Sequence, residues 1–265
     1  MAILTISREF GSGGREIGHA VAALLNYEYV DKERLLADLK ASGPEWEKWG
    51  KELDEHCPTV WEKHDWSFRG FSALIQSCIL DHALKGNVVL MGRGGNFLLK
   101  DIQSAFRVRI IAPLEKRIER ITMRESVDRE TAKWLIKKTD TERECFIRSI
   151  YGKELNNPDE YDIILDAGKR QEEEIINIIS ENLQEREQIQ GDNKTLSLRA
   201  EAARLKAGLL TNSRLFVPTL EVFHEGDSLV LRGIVHNPKE HKVVEEEAKR
   251  LTRGRPVRCE LHYRK

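Results

Sequence analysis

The segment Leu4–Gly18, LTISREFGSGGREIG, constrains the fold of this chain more than any other stretch. An apolar run at 3–6 leads into glycines at positions 11, 13 and 14, and apolar residues at helical spacing follow. This order predicts a buried strand, a tight turn and a helix over 15–26. Glycines allow the backbone to approach a ligand closely, and the helix directs the positive end of its dipole at the turn. The segment therefore favours an anion such as phosphate, and the alternative is a turn that serves only packing.

Both common phosphate-loop motifs fail here. The pattern G-x-x-x-x-G-K-[ST] would need a lysine where Arg15 stands and a hydroxyl residue where Glu16 and Ile17 stand. The pattern G-x-G-x-x-G would need a glycine at position 16. Arg15 can still offer phosphate a bidentate fork. The candidate nucleotide-binding loop consists of Gly11, Ser12, Gly13, Gly14, Arg15, Glu16 and Ile17.

Apolar runs alternate with helical patterns over the first two thirds of the chain. The predicted strands after the first are 27–31, 87–92, 107–112 and 161–166. The predicted helices are 67–85 with a stop at Gly86, 114–125, 128–150 and 171–184. This alternation predicts an α/β fold with a parallel sheet flanked by helices. Residues 32–65 predict short helices and loops, and the charged positions 115–120 predict a solvated helix face.

A change in composition near residue 183 predicts a second, smaller domain. Residues 183–195 are polar, so we place a linker at 186–196 between domains at 1–185 and 197–265. The second domain reads as helix, strand, strand, helix and strand, with a hairpin at 224–227. These features predict a small α+β domain.

Composition excludes several classes of function. The net charge of −1 gives no basic field for a nucleic-acid polymer, and no segment resembles an export signal or a membrane span. Cys57, Cys78, Cys145 and Cys259 form no CxxC pair, which favours reduced thiols. The histidines form no HxxxH or HExxH pattern, so we predict no bound structural metal. We expect a cytoplasmic protein.

Four blocks together resemble the cytidylate kinase-like family of nucleoside monophosphate kinases, over about residues 2–182. They are LTISREFGSGGREIG, YEYVDKERL, VVLMGRGGNFLL and KKTDTERECFIRSIYGKELNNPDEYDIILD. The resemblance implies a P-loop kinase-type parallel sheet, a lid that closes over ATP, and the use of ATP and Mg2+. It implies that Gly11 to Ile17 form the phosphate loop, with Arg15 at the lysine position.

The same resemblance implies roles for residues beyond the loop. Asp31 matches an acidic residue of the monophosphate site, and Arg93 matches the arginine of the family's GRD motif. The lid matches are Asp140, Arg143 and Arg148, with Lys137 or Lys138 as a looser match. Lys32, Glu33 and Arg34 depart from the family pattern, and so does Gly94, which replaces an aspartate.

Read from the residues alone, each of these positions keeps an alternative. Asp31 is also a helix N-cap candidate. Arg93 follows an apolar strand, where ligands bind in open α/β sheets, whereas Arg143 and Arg148 could be solvated arginines of a charged helix.

The C-terminal segment LEVFHEGDSLVLRGIVHNPKEHKVVEEEAKRLTRGRPVRCELHY resembles a BON-type domain, which implies an interaction module. We expect it to offer a protein partner or self-association surface.

The leading hypothesis is a phosphotransferase that moves the ATP γ-phosphoryl to a small phosphorylated acceptor, with CMP or dCMP as the family default. The second is a non-catalytic nucleotide sensor that signals through the C-terminal domain. The third is a structural adaptor that binds no nucleotide.

Overall fold

The computed structural model describes residues 1–52, 57–59, 61–62, 65–189, 193–217, 219–253 and 255–263. The chain divides into two compact units. The first unit comprises Met1–Thr59 and Lys85–Asp192, and the second comprises Val60–Leu84 and Asn193–Lys265.

The first unit is built around a five-stranded parallel sheet of order β2-β3-β1-β4-β5. Its strands are β1 Ile3–Arg8, β2 Glu28–Val30, β3 Val88–Met91, β4 Ala105–Ile111 and β5 Ile163–Asp166. Its helices are α1 Gly14–Leu25, α2 Lys32–Ser42, α3 Pro44–Glu52, α5 Gly95–Leu98, α6 Leu114–Glu125, α7 Arg129–Tyr151 and α8 Glu172–Glu187. Helix α4, Trp66–Lys85, precedes β3 and belongs to the second unit except for its last residue.

Strand β1 lies at the centre of this sheet, and its residues from Ile3 to Ser7 are buried on both faces. It pairs in parallel with β3, where Ile6 is level with Met91, and with β4, where Arg8 is level with Ile110. Val21 of α1 and Ile179 of α8 are fully buried with strand residues in one core. All five strands run the same way, so their carboxyl ends share one edge of the sheet, which is where ligands bind in open α/β folds.

Local signals in the sequence set the ends of several helices. Asp31 accepts a hydrogen bond from the Arg34 N–H at 3.1 Å and begins α2. Asp128 begins α7 in the same way, accepting from the Glu130 and Thr131 N–H groups. Gly86, with φ of +68°, follows the end of α4. Each cap satisfies N–H or C=O groups that the helix itself leaves without partners.

The second unit carries a three-stranded mixed sheet of order β6-β7-β8. Its elements after α4 are α9 Asn193–Leu210, β6 Thr219–Glu225, β7 Ser228–Val235, α10 Pro238–Leu251 and β8 Val257–Tyr263. Strands β6 and β7 are antiparallel, and β7 and β8 are parallel. Leu231 and Val244 are buried in a core to which α4 contributes Ala73.

These elements confirm the predicted fold class: an α/β unit with a parallel sheet and a small α+β unit. The hairpin predicted at 224–227 is present, since Glu225 pairs with Ser228 and Gly226 has φ of +58°. Helix α8 ends at Glu187 and α9 begins at Asn193, so both enter the stretch expected to be a linker. Residues 190–192 of that stretch, and 53–56, 60 and 63–64 of the predicted excursion, lie outside the described residues. The linker and the domain boundaries stay predictions.

The cysteine prediction is wrong for two of the four thiols. Cys57 and Cys145 form a disulfide, with Cα atoms 5.6 Å apart, while Cys78 and Cys259 are free. A Cα separation of this size is ordinary for a disulfide. The two cysteines are 88 residues apart in the sequence, so their spacing gave no sign that the fold brings them together.

Among the described helices, none combines the length and the apolar character that crossing a bilayer requires.

Candidate active site

The glycine loop joins β1 to α1 at the carboxyl edge of the sheet. Gly11 and Gly13 have φ of +80° and +88°, in the left-handed region that favours glycine. Helix α1 then begins at Gly14, and its N-cap Gly13 provides no side-chain cap. The first N–H groups of α1 and the positive end of its dipole therefore face the loop, as an anion site requires.

Helix α6 supports the loop from behind. A Cβ atom added at Gly13 would lie 2.9 Å from Nη1 of Arg120, and one added at Gly11 would lie 3.1 Å from the Arg117 carbonyl oxygen. Arg120 donates to the Ser12 carbonyl at 2.5 Å, and Arg117 donates to the Phe10 carbonyl at 3.3 Å. These bonds hold the Phe10 and Ser12 carbonyls on the side of α6. The Ser12 N–H donates to the Glu9 carbonyl at 3.3 Å, which tightens the turn.

The prediction of a solvated face at 115–120 is therefore wrong for Arg117, whereas Arg120 is exposed although it donates to the loop. Arg117 is only 11% exposed and also pairs with Asp140 at 2.5 Å. Glu115, in contrast, is exposed and pairs with Arg129. A charged helical pattern looks the same in the sequence whether it faces water or the carbonyl groups of a loop.

Helix α7 closes the other side of the loop. Asp140 accepts the Phe10 N–H at 2.8 Å while it pairs with Arg117. Arg143 donates to the Arg8 carbonyl at 3.3 Å, and its guanidinium lies over the Phe10 ring at 5.5 Å. Asp140 thus holds the loop, whereas Arg143 also reaches the cavity described next.

A cavity of about 530 Å³ opens at this edge of the sheet. Its wall is strongly charged, with residues from the loop, α1, the start of α2, the turn after β3, α6 and α7. Its lining includes Arg8, Ser12, Arg15, Glu16, Asp31, Arg93 and Arg143. A polar concavity at the carboxyl ends of parallel strands, floored by a glycine loop, suits a phosphorylated ligand.

Arg93 has an unusual backbone. It is 5% exposed and adopts φ of +58°, between Gly92 at +71° and Gly94 at +79°. A non-glycine residue in this region costs of order 1 kcal/mol, and such strain collects at functional sites. Its carbonyl accepts the Tyr151 hydroxyl at 2.5 Å, and its guanidinium lies 5.6 Å from the Phe146 ring centroid. The surroundings therefore fix both the main chain and the side chain of Arg93.

Tyr151 also explains why position 94 is glycine. A Cβ atom at Gly94 would lie 2.1 Å from Cε2 of Tyr151. Burial raises the pKa of the Tyr151 phenol, so the hydroxyl remains a donor at neutral pH. An aspartate at position 94 would have to displace this ring.

Asp31 and Tyr29 line the cavity wall at β2 and the start of α2. Asp31 both caps α2 and lines the cavity, so the structure contains both of the features that were alternatives in the sequence. Burial raises the pKa of Tyr29 to about 12, and the nearby positive charge of Arg8 opposes that rise. The Tyr29 hydroxyl is buried and has no hydrogen-bond partner among the described residues, and its ring stacks on His19 at 3.7 Å.

The other predicted site residues lie in varied places. Arg15 and Glu16 are exposed and line the cavity. Ile17 is buried in the core. Ser12 is also buried, and its hydroxyl has no hydrogen-bond partner among the described residues. Arg148 is 62% exposed and pairs with Glu144, outside the described lining of this cavity. Lys137 and Lys138 are exposed on α7. Residue types alone did not indicate Arg8, Arg117, Arg120 or Tyr151 as part of the site.

Comparison with known protein families gives a result that fits this geometry. A model of the cytidylate kinase-like family matches residues 3–169, which is well over half of the chain. The chain belongs to the cytidylate kinase-like family. The matched stretch runs from β1 past β5 and contains the glycine loop, Asp31, Arg93 and the whole of α7. Family and fold together support a phosphotransferase of the kinase type.

Individual relatives of this cytidylate kinase-like chain are distant. It is 28% identical over 182 residues to a protein named cytidylate kinase from Methanocaldococcus jannaschii, covering 67% of this chain and 95% of that one. A 103-residue stretch is 28% identical to a uronate isomerase from Corynebacterium glutamicum but covers only 20% of that enzyme. A crystal structure of an uncharacterized protein from Eubacterium ventriosum superposes with a TM-score of 0.54 at 22% identity, over 69% of this chain and 99% of the other. That superposition shows the shared fold.

Proposed function

We propose that this protein transfers the γ-phosphoryl group of ATP to a small phosphorylated acceptor, as a nucleoside monophosphate kinase does. One observation carries the proposal: the glycine loop at the start of α1 lines a cavity together with Arg8, Arg15, Arg93 and Arg143. Phosphoryl transfer depends mainly on positioning and on neutralising charge, which N–H groups and arginines supply.

The reaction fits the groups present. The bond between the γ-phosphorus and the bridging oxygen breaks, a bond to an acceptor phosphate oxygen forms, and ADP leaves with the bonding electrons. A phosphate acceptor is already largely ionised at neutral pH. No side chain therefore has to remove a proton from it.

Each arginine has a proposed task. Arg15, at the first turn of α1, contacts the ATP phosphates, and Arg143 contacts the transferring group from α7. Arg93 and Asp31 bind and orient the acceptor on the β2–β3 side of the cavity. Arg148 pairs with Glu144 and would reach the phosphates only after a movement of α7.

The residues present are compatible with magnesium. Asp31 and Glu16 place carboxylates in the cavity wall, and carboxylate oxygen is a ligand that Mg2+ prefers. The loop lacks the usual hydroxyl after the glycines, so the ATP phosphates and water would complete the coordination. When bound, the ion would neutralise charge on the β- and γ-phosphates. Asp31 and Glu16 would orient the ion and its water molecules.

CMP or dCMP is the first acceptor to test. The name of the Methanocaldococcus jannaschii relative supports it. Lys32 and Glu33, at the start of α2, line the cavity where the family pattern differs. Gly94, with the Tyr151 ring against it, differs too. We therefore propose the reaction class first and cytidylate second.

A coupled assay for ADP release tests the function. The purified full chain with Mg-ATP is presented with a panel of nucleoside monophosphates that includes CMP and dCMP. We expect turnover that requires one of these acceptors. Absence of acceptor-dependent ADP release across the panel would contradict the kinase proposal.

A second candidate is a nucleotide sensor without turnover. Glu16 stands in the loop where catalytic loops carry a hydroxyl, and a carboxylate there would oppose phosphate unless a metal ion intervenes. Calorimetry separates the candidates: ATP binding without acceptor-dependent ADP release supports the sensor.

We also propose that the C-terminal part of the second unit is a BON-like interaction module. Its element order α9, β6, β7, α10, β8 and its mixed sheet support this. Light scattering of the full chain, alone over a concentration series, tests self-association through it. A strictly monomeric chain would leave a protein partner as the remaining role.

A further inference from the structure

We infer that Arg8, Arg93 and Arg143 form a phosphoryl-binding subsite in which Arg8 supplies the cation that the loop lacks. This inference rests on the proposed function and names a residue to which the family resemblance assigns no role. Arg8 is the last residue of β1, immediately before the loop.

The position of the subsite follows from two neighbouring cavities. A small second cavity lies beside the main one and is lined by Ser7, Gly92, Gly94, Asn96, Phe146, Ile147 and Leu155 together with the three arginines. Of the described residues that line either cavity, Arg8, Arg93 and Arg143 are those that line both. The three side chains therefore form the boundary between the cavities.

The sheet itself brings two of these residues together. Ile6 of β1 is level with Met91 of β3, and the Gly92 N–H donates to the Ile6 carbonyl at 2.8 Å. The pairing stops at that level, because β3 ends at Met91 and the backbone of Gly92 and Arg93 turns with φ of +71° and +58°. Arg8 and Arg93 each lie two residues beyond this last paired level, although they are 85 positions apart in the sequence.

Two glycines make room for the Arg8 side chain. A Cβ atom at Gly14 would lie 2.8 Å from Cβ of Arg8, and one at Gly92 would lie 2.1 Å from its Nη1. The side chain therefore starts beside the first residue of α1 and ends beside the turn that presents Arg93.

Charge makes an anion the fitting occupant. Guanidinium groups keep their charge at any physiological pH, so three of them add positive charge at this boundary. Carboxylates also line the main cavity, among them Glu16 and Asp31, and Asp140 lies 4.0 Å from Arg143. A phosphoryl group fits the three arginines because guanidinium binds its oxygens with paired donors.

Arg8 suits this role better than Arg15 because of its environment. Arg15 is exposed on the second residue of α1, where water screens its charge, whereas Arg8 is partly buried below the loop. An ionic contact is stronger where the effective dielectric is lower. Arg15 remains a contact at the rim.

The test compares Arg8→Gln and Arg8→Lys with Arg232→Gln, which removes one charge from an exposed arginine of the second unit. Calorimetry measures affinity for Mg-ATP and for tripolyphosphate, which retains the phosphates and lacks the base. We expect Arg8→Gln to weaken both by about a hundredfold, Arg8→Lys to weaken them less, and Arg15→Ala to weaken them by about tenfold. Arg232→Gln should match the wild type.

A second pair of variants tests the geometry even where Arg8→Gln does not fold. Gly92→Ala should push the guanidinium aside without changing the charge, and we expect about tenfold weaker binding. Gly152→Ala is the matched control, since Gly152 has φ of +63° and no atom within 4 Å of an added Cβ. It carries the same kind of backbone strain away from Arg8.

The outcomes separate this inference from the proposed function. A wild-type chain that shows no heat with Mg-ATP would overturn both. If the wild type binds ATP and Arg8→Gln binds ATP and tripolyphosphate within threefold of it, the role of Arg8 is overturned and the proposed function stands. Equal losses in Arg8→Lys and Arg8→Gln would overturn the charge argument, and so would equal losses in Gly92→Ala and Gly152→Ala.

Discussion

The two units of this protein differ in whether they bury arginine, since both arginines that are buried among the described residues lie in the first unit. In the first unit, Arg93 and Arg109 are each 5% exposed, and Arg117 holds the glycine loop from an 11% exposed position. In the second unit, the ion-paired Arg232 and Arg258 are about half exposed, at 50% and 52%. Taking a guanidinium out of water is costly unless it gains strong partners.

The two buried arginines also differ in what surrounds them. Arg109 donates to Asn156 Oδ1 at 2.5 Å and to Ser7 Oγ at 3.3 Å, which stabilises the fold. Arg93 lines two cavities from a strained backbone, and this is why we propose a ligand-binding role for it. The second unit combines an apolar core with ion pairs on its surface.

The largest effect that the comparison predicts is on stability, in the second unit. Leu231 is fully buried in the core of that unit. Leu231→Ala should lower its free energy of unfolding by about 2–5 kcal/mol, since it removes apolar contacts and leaves a cavity. Thermal unfolding with and without Mg-ATP measures the loss of stability. At a temperature where the variant is folded, its affinity for ATP should differ from that of the wild type by less than about twofold. A large loss of ATP affinity would contradict the assignment of nucleotide binding to the first unit alone.

The next effect is on catalysis, in the first unit. Arg93→Gln should lower kcat/KM by about a hundredfold, equivalent to about 2.7 kcal/mol of transition-state stabilisation. Its melting temperature should stay close to the wild-type value, because the buried charge is removed together with its interactions. Steady-state kinetics and a thermal scan on the same preparation provide the two numbers. A variant with unchanged kinetics and a lowered melting temperature would make Arg93 a structural arginine like Arg109.

Strands and helices could be predicted because their signals are local. Buried parallel strands such as β3 are continuous apolar runs, and helices such as α7 begin at a capping Asp128. The loop was also visible, because glycine clusters have few other uses. The residues that support the loop could not be predicted. Arg117 and Arg120 lie in a charged helical pattern, and such a pattern looks the same whether its side chains face water or bond the carbonyl groups of a loop. Tyr151 and Cys145 meet their partners only through tertiary folding, 58 and 88 residues away.

The loop supports provide a prediction of intermediate size. Arg120→Gln should raise the Kd for Mg-ATP by about fivefold, because the Ser12 carbonyl loses a charged donor worth of order 1 kcal/mol. The loss should fall on binding more than on kcat, since Arg120 contacts the loop and not the reacting atoms. Calorimetry measures the Kd for Mg-ATP, and steady-state kinetics measures kcat. Arg129→Gln, which removes an exposed arginine that pairs with Glu115, is the matched control. A drop in kcat with unchanged Kd would contradict a supporting role.

The smallest expected effect is that of removing an exposed arginine from the surface of the second unit. Arg232 donates to Glu260 at 2.8 and 3.0 Å, and both side chains are open to solvent. Arg232→Gln should change the free energy of unfolding by less than about 1 kcal/mol, because water screens the pair and takes its place. Chemical denaturation measures the change, and ATP affinity should equal that of the wild type. A nucleotide-binding defect in this variant would show that the exposed arginines of the second unit also serve the ligand, and the contrast between the two units would then fail.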